Sequence, residues 1–189
     1  ESKRILKSSG TIWISGTYHN IYQCGYILQE LGFHIINEIC WYKPNAAPNI
    51  SCKSFAHAHE TLIWAKKDKN HKHYFNYEIM KYSNYEEDFF KNKDKQMRSV
   101  WAITTPKSSE KIYGKHPTQK PVELLYRIIK AATKEQDIIL DPFAGSGTTG
   151  VAVIREGKRI FIGIEKERDY LEIAKKRILD EINSSIFTH

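Results

Sequence analysis

At 189 residues, 41% of them hydrophobic and 12% aromatic, the chain has enough apolar side chain for one domain with a proper core and too little for two full ones. A net charge of +7, from 29 Lys and Arg against 22 Asp and Glu, favours a polyanionic partner through counterion release. No apolar run reaches the length of a membrane span, the first residues carry no signal-peptide pattern, and Cys24, Cys40 and Cys52 show no CxxC spacing, so a soluble cytoplasmic protein without a disulfide framework is expected.

In chain order, Ser2 to Ser9 reads as a helix end closed by Gly10, with Lys3, Arg4 and Lys7 where cations favour a helix C-terminus. Thr11 to Ser15 is a short β-rich run. His19 or Asn20 would cap a helix whose apolar positions Ile21, Tyr22, Gly25, Ile27, Leu28 and Leu31 keep helical spacing until Gly32. Phe33 to Tyr42 and Thr61 to Ala65 read as strands. The 17 residues Lys43 to His59 between them have no periodicity and are long for a passive connection, so a functional, moving loop is expected.

From Lys66 to Lys95, cations and asparagines interleave with Tyr74, Phe75, Tyr77, Tyr82, Tyr85, Phe89 and Phe90. Base stacking and phosphate contact need that combination, and so does the packing of a small helical subdomain. Gln96 to Pro106 leads back to the core, and Lys107 to Lys115 reads as an exposed polar linker. Pro121 opens a helix carrying Leu124, Leu125, Ile128, Ile129 and Ala132; Tyr170, Ile173, Ala174, Ile178 and Ile182 mark a last amphipathic helix, with Asn183 to His189 frayed.

The chemistry concentrates in Ile138-Ile-Leu-Asp-Pro-Phe-Ala-Gly-Ser-Gly-Thr-Thr-Gly150. A β-forming run enters a turn in which Gly145 and Gly147 let the backbone bend tightly and approach a ligand. Glu165 ends the next apolar run, 20 residues after Gly145, a spacing at which a carboxylate reaches the ribose of an adenosine-containing cofactor. Gly147 is followed by Thr148 and Thr149 and not by Lys, which excludes a triphosphate-gripping P-loop. Gly145, Gly147 and Gly150 satisfy GxGxxG in form, but the Asp141 carboxylate would repel a pyrophosphate and attract an ammonium group.

Asp141-Pro-Phe-Ala-Gly-Ser-Gly-Thr-Thr-Gly150 resembles the S-adenosylmethionine (SAM) motif of DNA amino-methyltransferases acting on adenine N6 or cytosine N4. His116-Pro-Thr-Gln-Lys-Pro121 resembles the companion motif of the β group of that family, and Gly10 to Gly16, Trp41 to Pro44 and His59 to Ala65 extend the likeness less sharply. The resemblance implies one α/β three-layer, Rossmann-like methyltransferase domain over 1–189 with a mostly parallel sheet. In it Ile138–Leu140 would be central, Arg159–Ile164 beside it, and the strands at Thr11, Phe33 and Thr61 on the other side. It also implies an inserted target-recognition region at 66–106.

By the same resemblance SAM is the cofactor. Asp141, Pro142, Phe143, Ala144, Gly145, Ser146, Gly147, Thr148 and Thr149 line its site; Glu165 and Lys166 lie at the ribose; His116, Thr118 and Lys120 lie at the methionine end. Lys43, Asn45, Asn49, Lys53 and Arg98 are the implied contacts to double-stranded DNA. A homodimer and a restriction endonuclease acting on the same site are further implied partners. The family's catalytic Asp/Ser/Asn-Pro-Pro-aromatic tetrapeptide does not occur, Asp141-Pro142 being the only Asp-Pro, and is expected upstream of Glu1. Adenine N6 is the expected target; a cytosine-N4 enzyme, an RNA methyltransferase and a non-catalytic SAM- or DNA-binding subunit remain open. Cys52, His57 and His59 lack a fourth ligand, and methyl transfer needs no metal, so none is expected.

Overall fold

The computed structural model describes residues 1–85, 88 and 95–186, and of Ile186 only the backbone. The chain divides into two compact units, Glu1–Thr104 and Thr105–His189. Phe89 and Phe90, like residues 187–189, lie outside the described residues.

The first unit runs α1 (Ser2–Ile5), β1 (Thr11–Gly16), α2 (Ile21–Glu30), β2 (His34–Tyr42), β3 (His59–Lys66), α3 (Tyr77–Tyr82) and β4 (Val100–Ala102). Its sheet has the order β1-β3-β2-β4. Ile12 and Ile14 of β1 and Ile63 and Ala65 of β3 alternate onto one face and pack with Ile21, Leu28 and Phe33, which buries the apolar stripe of α2. On the other face the cross-strand partners Trp13 and Trp64 stack at 4.9 Å and 15°.

Two expectations for this unit are corrected. The sheet is mixed: β1–β3 and β2–β3 are antiparallel, and only β2–β4 is parallel. A parallel return needs a long crossover, usually a helix, whereas the chain from Tyr42 to His59 contains no helix and folds back as a hairpin. Among the described residues these strands are hydrogen-bonded to one another in a four-stranded sheet. The first helix ends at Ile5, not near Gly10, because Leu6 is already extended at φ −65°, ψ 128°.

The second unit holds a 3₁₀ turn at Ser108–Lys111, then α4 (Val122–Ala132), β5 (Ile138–Asp141), α5 (Thr148–Glu156), β6 (Ile160–Gly163) and α6 (Arg168–Ile186). Strands β5 and β6 pair in parallel, Ile138 opposite Ile160 through Asp141 opposite Gly163. Ile139 and Phe161 face the cluster made by Val122 and Ile129 of α4 and Val151, Ala152 and Val153 of α5. On the opposite face Ile138, Leu140, Ile160 and Ile162 are 38–53% exposed. Among the described residues β5 pairs with β6 alone.

The stretch read as an exposed linker is mostly exposed and also contains the 3₁₀ turn, in which Glu110 reaches back to cap it and forward to accept the Val122 N–H at 2.8 Å. The last helix continues through Ile186, past the predicted fraying point, with Ser184 and Ser185 hydroxyls bonded to the carbonyls of Asp180 and Ile182. No helix among the described residues is long and apolar enough to cross a membrane.

Candidate cofactor site

Strand β5 delivers Asp141 to the turn, where its two oxygens are already engaged. Oδ1 accepts the Phe143 N–H at 3.0 Å and Oδ2 accepts the Thr149 hydroxyl at 2.5 Å. The carboxylate thus closes the turn onto the start of α5. Gly145 and Gly147 sit at φ +53° and +75°, in the left-handed region. The turn is fastened to β6 as well: the Ala144 N–H donates to the Ile164 carbonyl, and the Ile164 N–H to the Asp141 carbonyl, each at 2.9 Å.

Glu165, at the end of β6, reaches back across 20 residues so that its Oε2 accepts the Gly145 N–H at 2.8 Å. Its Oε1 accepts the Glu167 N–H at 2.9 Å. Those donated bonds, Glu167 first and then Gly145, hold the carboxyl below the usual carboxylate range. A carboxylate has about four lone-pair sites, so with the Lys166 backbone N–H also bonded it still keeps acceptor capacity for another donor. Lys166 beside it is exposed, with Glu167 at 3.5 Å.

His116 closes the turn from the other side. Its Nδ1 accepts the Thr118 N–H at 3.3 Å, which assigns the proton of the neutral ring to Nε2. The ring meets Tyr170 edge-on at 4.3 Å, and a Cβ on Gly145 would lie 3.1 Å from Nε2, so the glycine is what lets the ring close. Burial pushes the His116 imidazole down; the Glu165 carboxylate works in the opposite direction and the Lys120 ammonium adds to burial. The Lys120 carbonyl accepts the Thr148 hydroxyl at 3.2 Å. Pro142 and Thr118 are exposed, and Phe143 is 88% exposed beside the turn. His116, Lys120, Asp141 to Thr149 and Glu165 are thereby tied into one cluster.

Sequence reading missed two members of that cluster. Arg177 on α6 is 7% exposed and places Nη1 2.7 Å from the Ser146 carbonyl, 2.9 Å from Ser146 Oγ and 2.9 Å from Thr148 Oγ1. Glu110 faces the same guanidinium, Oε2 to Nη2, at 4.0 Å.

The residues read as DNA contacts divide. Lys43 turns inward, its Nζ 2.6 Å from Glu60 Oε1 and 4.6 Å from the centre of the Trp41 ring, so its charge is spent inside the first unit. Asn49 braces its own loop: Nδ2 donates to the Ser54 carbonyl and hydroxyl, and Oδ1 accepts from the Ser51 amide and hydroxyl. Asn45, Lys53 and Arg98 are exposed. Ile50 and Phe55, on either side of Lys53, are 95% and 96% exposed. The His57 ring stacks on Tyr18 at 4.3 Å, and among the described residues no group of three or more His, Cys, Asp or Glu side chains is arranged to hold a metal ion.

A glycine turn between a parallel strand and a helix, with a carboxylate at the end of the neighbouring strand, is the arrangement by which α/β proteins seat a nucleoside cofactor. The profile of the N6/N4 DNA methylase family matches residues 1–176. Type II methyltransferase M2.LlaDCHI of Lactococcus lactis subsp. cremoris is 54% identical over 178 residues, 94% of this chain and 63% of that protein. M2.MboI of Moraxella bovis is 48% identical over 177 residues, 94% of this chain and 62% of that protein. The solved complex of M1.HpyAVI with SAM is similar in fold, with a TM-score of 0.72 at 33% identity, over 94% of this chain and 78% of that one. The chain belongs to the N6/N4 DNA methylase family and has its α/β methyltransferase fold. It spans a little under two thirds of the length of these curated relatives.

Proposed function

We propose that this chain is the cofactor- and DNA-binding body of a site-specific DNA methyltransferase. It would move a methyl group from SAM to the exocyclic amine of a base turned out of the duplex, adenine N6 being that amine. The observation that carries the reading is the Glu165 carboxylate bonded to the Gly145 amide across a turn whose two glycines lie at positive φ, with no lysine to meet a triphosphate. Family membership supports it, as do the SAM bound to M1.HpyAVI and the Type II methyltransferase relatives.

The residues present fit that cofactor. Glu165 retains lone pairs for ribose hydroxyls with Lys166 alongside, and Phe143 offers an exposed ring face to an adenosine. Pro142, Ala144, Gly145, Ser146, Gly147, Thr148 and Thr149 form the wall, which Asp141 braces from within. His116, Thr118 and Lys120 take the methionine end, and an imidazole whose proton affinity is lowered by burial sets less positive charge against a sulfonium. SAM, when bound, supplies an activated methyl group. The acceptors that make the target amine nucleophilic belong, in this family, to a Pro-Pro tetrapeptide that these residues do not contain. Flipping is required because the amine is paired inside the stack.

For DNA, Lys53 and Arg98 with Asn45 are the proposed phosphate-side contacts, Ile50 and Phe55 flank Lys53 at the loop tip, and 66–106 is the proposed target-recognition region. Double-stranded DNA in the cytoplasm is the proposed substrate, with a second copy of the chain and a restriction endonuclease of the same specificity as proposed partners. The test is to express the protein from its complete reading frame and incubate it with isotope-labelled SAM and mixed-sequence DNA. Nucleosides are then analysed by mass spectrometry. Labelled N6-methyladenine is expected. Labelled N4-methylcytosine would replace the base, and no labelled nucleoside from a protein that binds SAM would overturn DNA methylation.

A further inference from the structure

Arg177 is a cation in an electrostatically poor place. It is almost wholly buried, its desolvation lowers its proton affinity, and it lies against Ser146 and Thr148 at the N-terminal end of α5, the positive end of that helix. One nitrogen, Nη1, serves three acceptors there at 2.7–2.9 Å: the Ser146 carbonyl, the Ser146 hydroxyl and the Thr148 hydroxyl. Ser146 sits between the two positive-φ glycines, and the direction of its carbonyl sets the plane of the Ser146–Gly147 peptide.

The counter-charge is equally placed. Glu110 Oε2, 4.0 Å from Nη2, also accepts the Val122 N–H at 2.8 Å, and the Glu110 carbonyl accepts from Gln119 Nε2 at 2.9 Å. The Thr148 hydroxyl that Arg177 contacts donates onward to the Lys120 carbonyl at 3.2 Å. One guanidinium therefore links α6, the glycine turn, the 3₁₀ turn and the segment carrying His116 and Lys120. The neighbouring Arg155–Glu181 pair joins α5 to α6 with two bonds at 2.9 and 3.0 Å but touches none of the turn.

We infer that Arg177, balanced by Glu110, is the positioning residue that holds the glycine turn and the His116 segment in their cofactor-receiving geometry before the cofactor arrives. The inference rests on the SAM reading above. Preorganisation of this kind acts on affinity: without it, the ordering of the turn is charged against each binding event.

The experiment compares wild type, Arg177→Met, Arg177→Lys, Glu110→Gln and Arg155→Met by SAM titration calorimetry, well below each variant's melting temperature. Amide hydrogen exchange at Gly145 and Gly147 is read alongside. Arg177→Met is expected to weaken SAM binding by about 10- to 100-fold, by analogy with the loss of an outer-shell partner of a metal ligand. Exchange at both glycines should accelerate in the unliganded protein. Arg177→Lys should recover only part of the affinity, since an ammonium lacks the planar fork that faces Glu110 while bonding the turn. Glu110→Gln should fall between, and Arg155→Met should bind SAM as wild type does. Should Arg177→Met not fold, Arg177→Lys decides by the same criterion. Wild-type affinity and unchanged glycine exchange in the Arg177 variants would overturn the inference with the SAM reading intact; a wild type that binds no SAM would overturn both.

Discussion

Gly147→Ala is the most exacting test of the turn as built. The residue lies at φ +75°, where an L side chain costs about 1–2 kcal/mol. Its new Cβ would also fall 2.8 Å from Ala174 Cβ, 2.9 Å from Ala174 Cα and 3.3 Å from the Ala174 carbonyl oxygen. These atoms belong to α6 and cannot swing aside as a side-chain tip would, so an overpacking cost of about 1–3 kcal/mol applies as well. The combined loss is about 2–5 kcal/mol, and at about 2–4 °C per kcal/mol for a chain of this length the melting temperature drops by roughly 4–20 °C. Gly145→Ala is the internal comparison. It too has positive φ, +53°, but its Cβ would meet a His116 ring atom at 3.1 Å and no backbone. It should therefore lose little more than the backbone strain in a thermal melt followed by circular dichroism, and show its main effect on SAM affinity. Ala174→Gly removes the nearest clashing atom, so the cost of Gly147→Ala should shrink in that background. Equal destabilisation by the two alanines, or strict additivity of Gly147→Ala with Ala174→Gly, would refute the packing described for the α5–α6 contact.

Lys43→Ala should lower stability by about 1–3 kcal/mol, because Glu60 loses its closest cation in a nearly buried place, while leaving the salt dependence of DNA binding unchanged. A reduced salt slope would show Lys43 reaching DNA after all. Lys53→Ala and Arg98→Ala should each reduce the slope of log affinity against log salt by about 1, with no loss of stability; an unaltered slope for both removes them from the interface. His116 should titrate in an NMR experiment below the ordinary histidine value of about 6.5. Because its folded proton affinity is lowered, the unfolded chain protonates first, so the stability His116 contributes is complete above that value and falls as the pH drops below it; a midpoint at or above 6.5 would contradict the burial assigned to the ring.

How far the chain could be read without its structure follows from the reach of each interaction. The glycine turn was legible because backbone bending at Gly145 and Gly147 is a property of the residues themselves, and α4 was legible because Leu124, Leu125, Ile128 and Ile129 repeat at the helix's own period. The direction of β3 was not, since an apolar run pairs either way until its partner is known. The protein partners of the charged groups were equally out of reach: Lys43 meets Glu60, and Asp141 accepts from the Phe143 amide and the Thr149 hydroxyl. Arg177 did leave a signal. It falls at the i+3 position of the buried stripe that starts at Ala174 and continues at Ile178, and a cation in an apolar stripe demands acceptors there. Which acceptors could not be read, because Ser146 is 31 residues away in sequence and Glu110 lies two helices and two strands back along the chain. The glycines give the turn permission to bend; Glu165, Thr149 and Arg177, from 8 to 31 residues on from their partners, decide which bend it keeps.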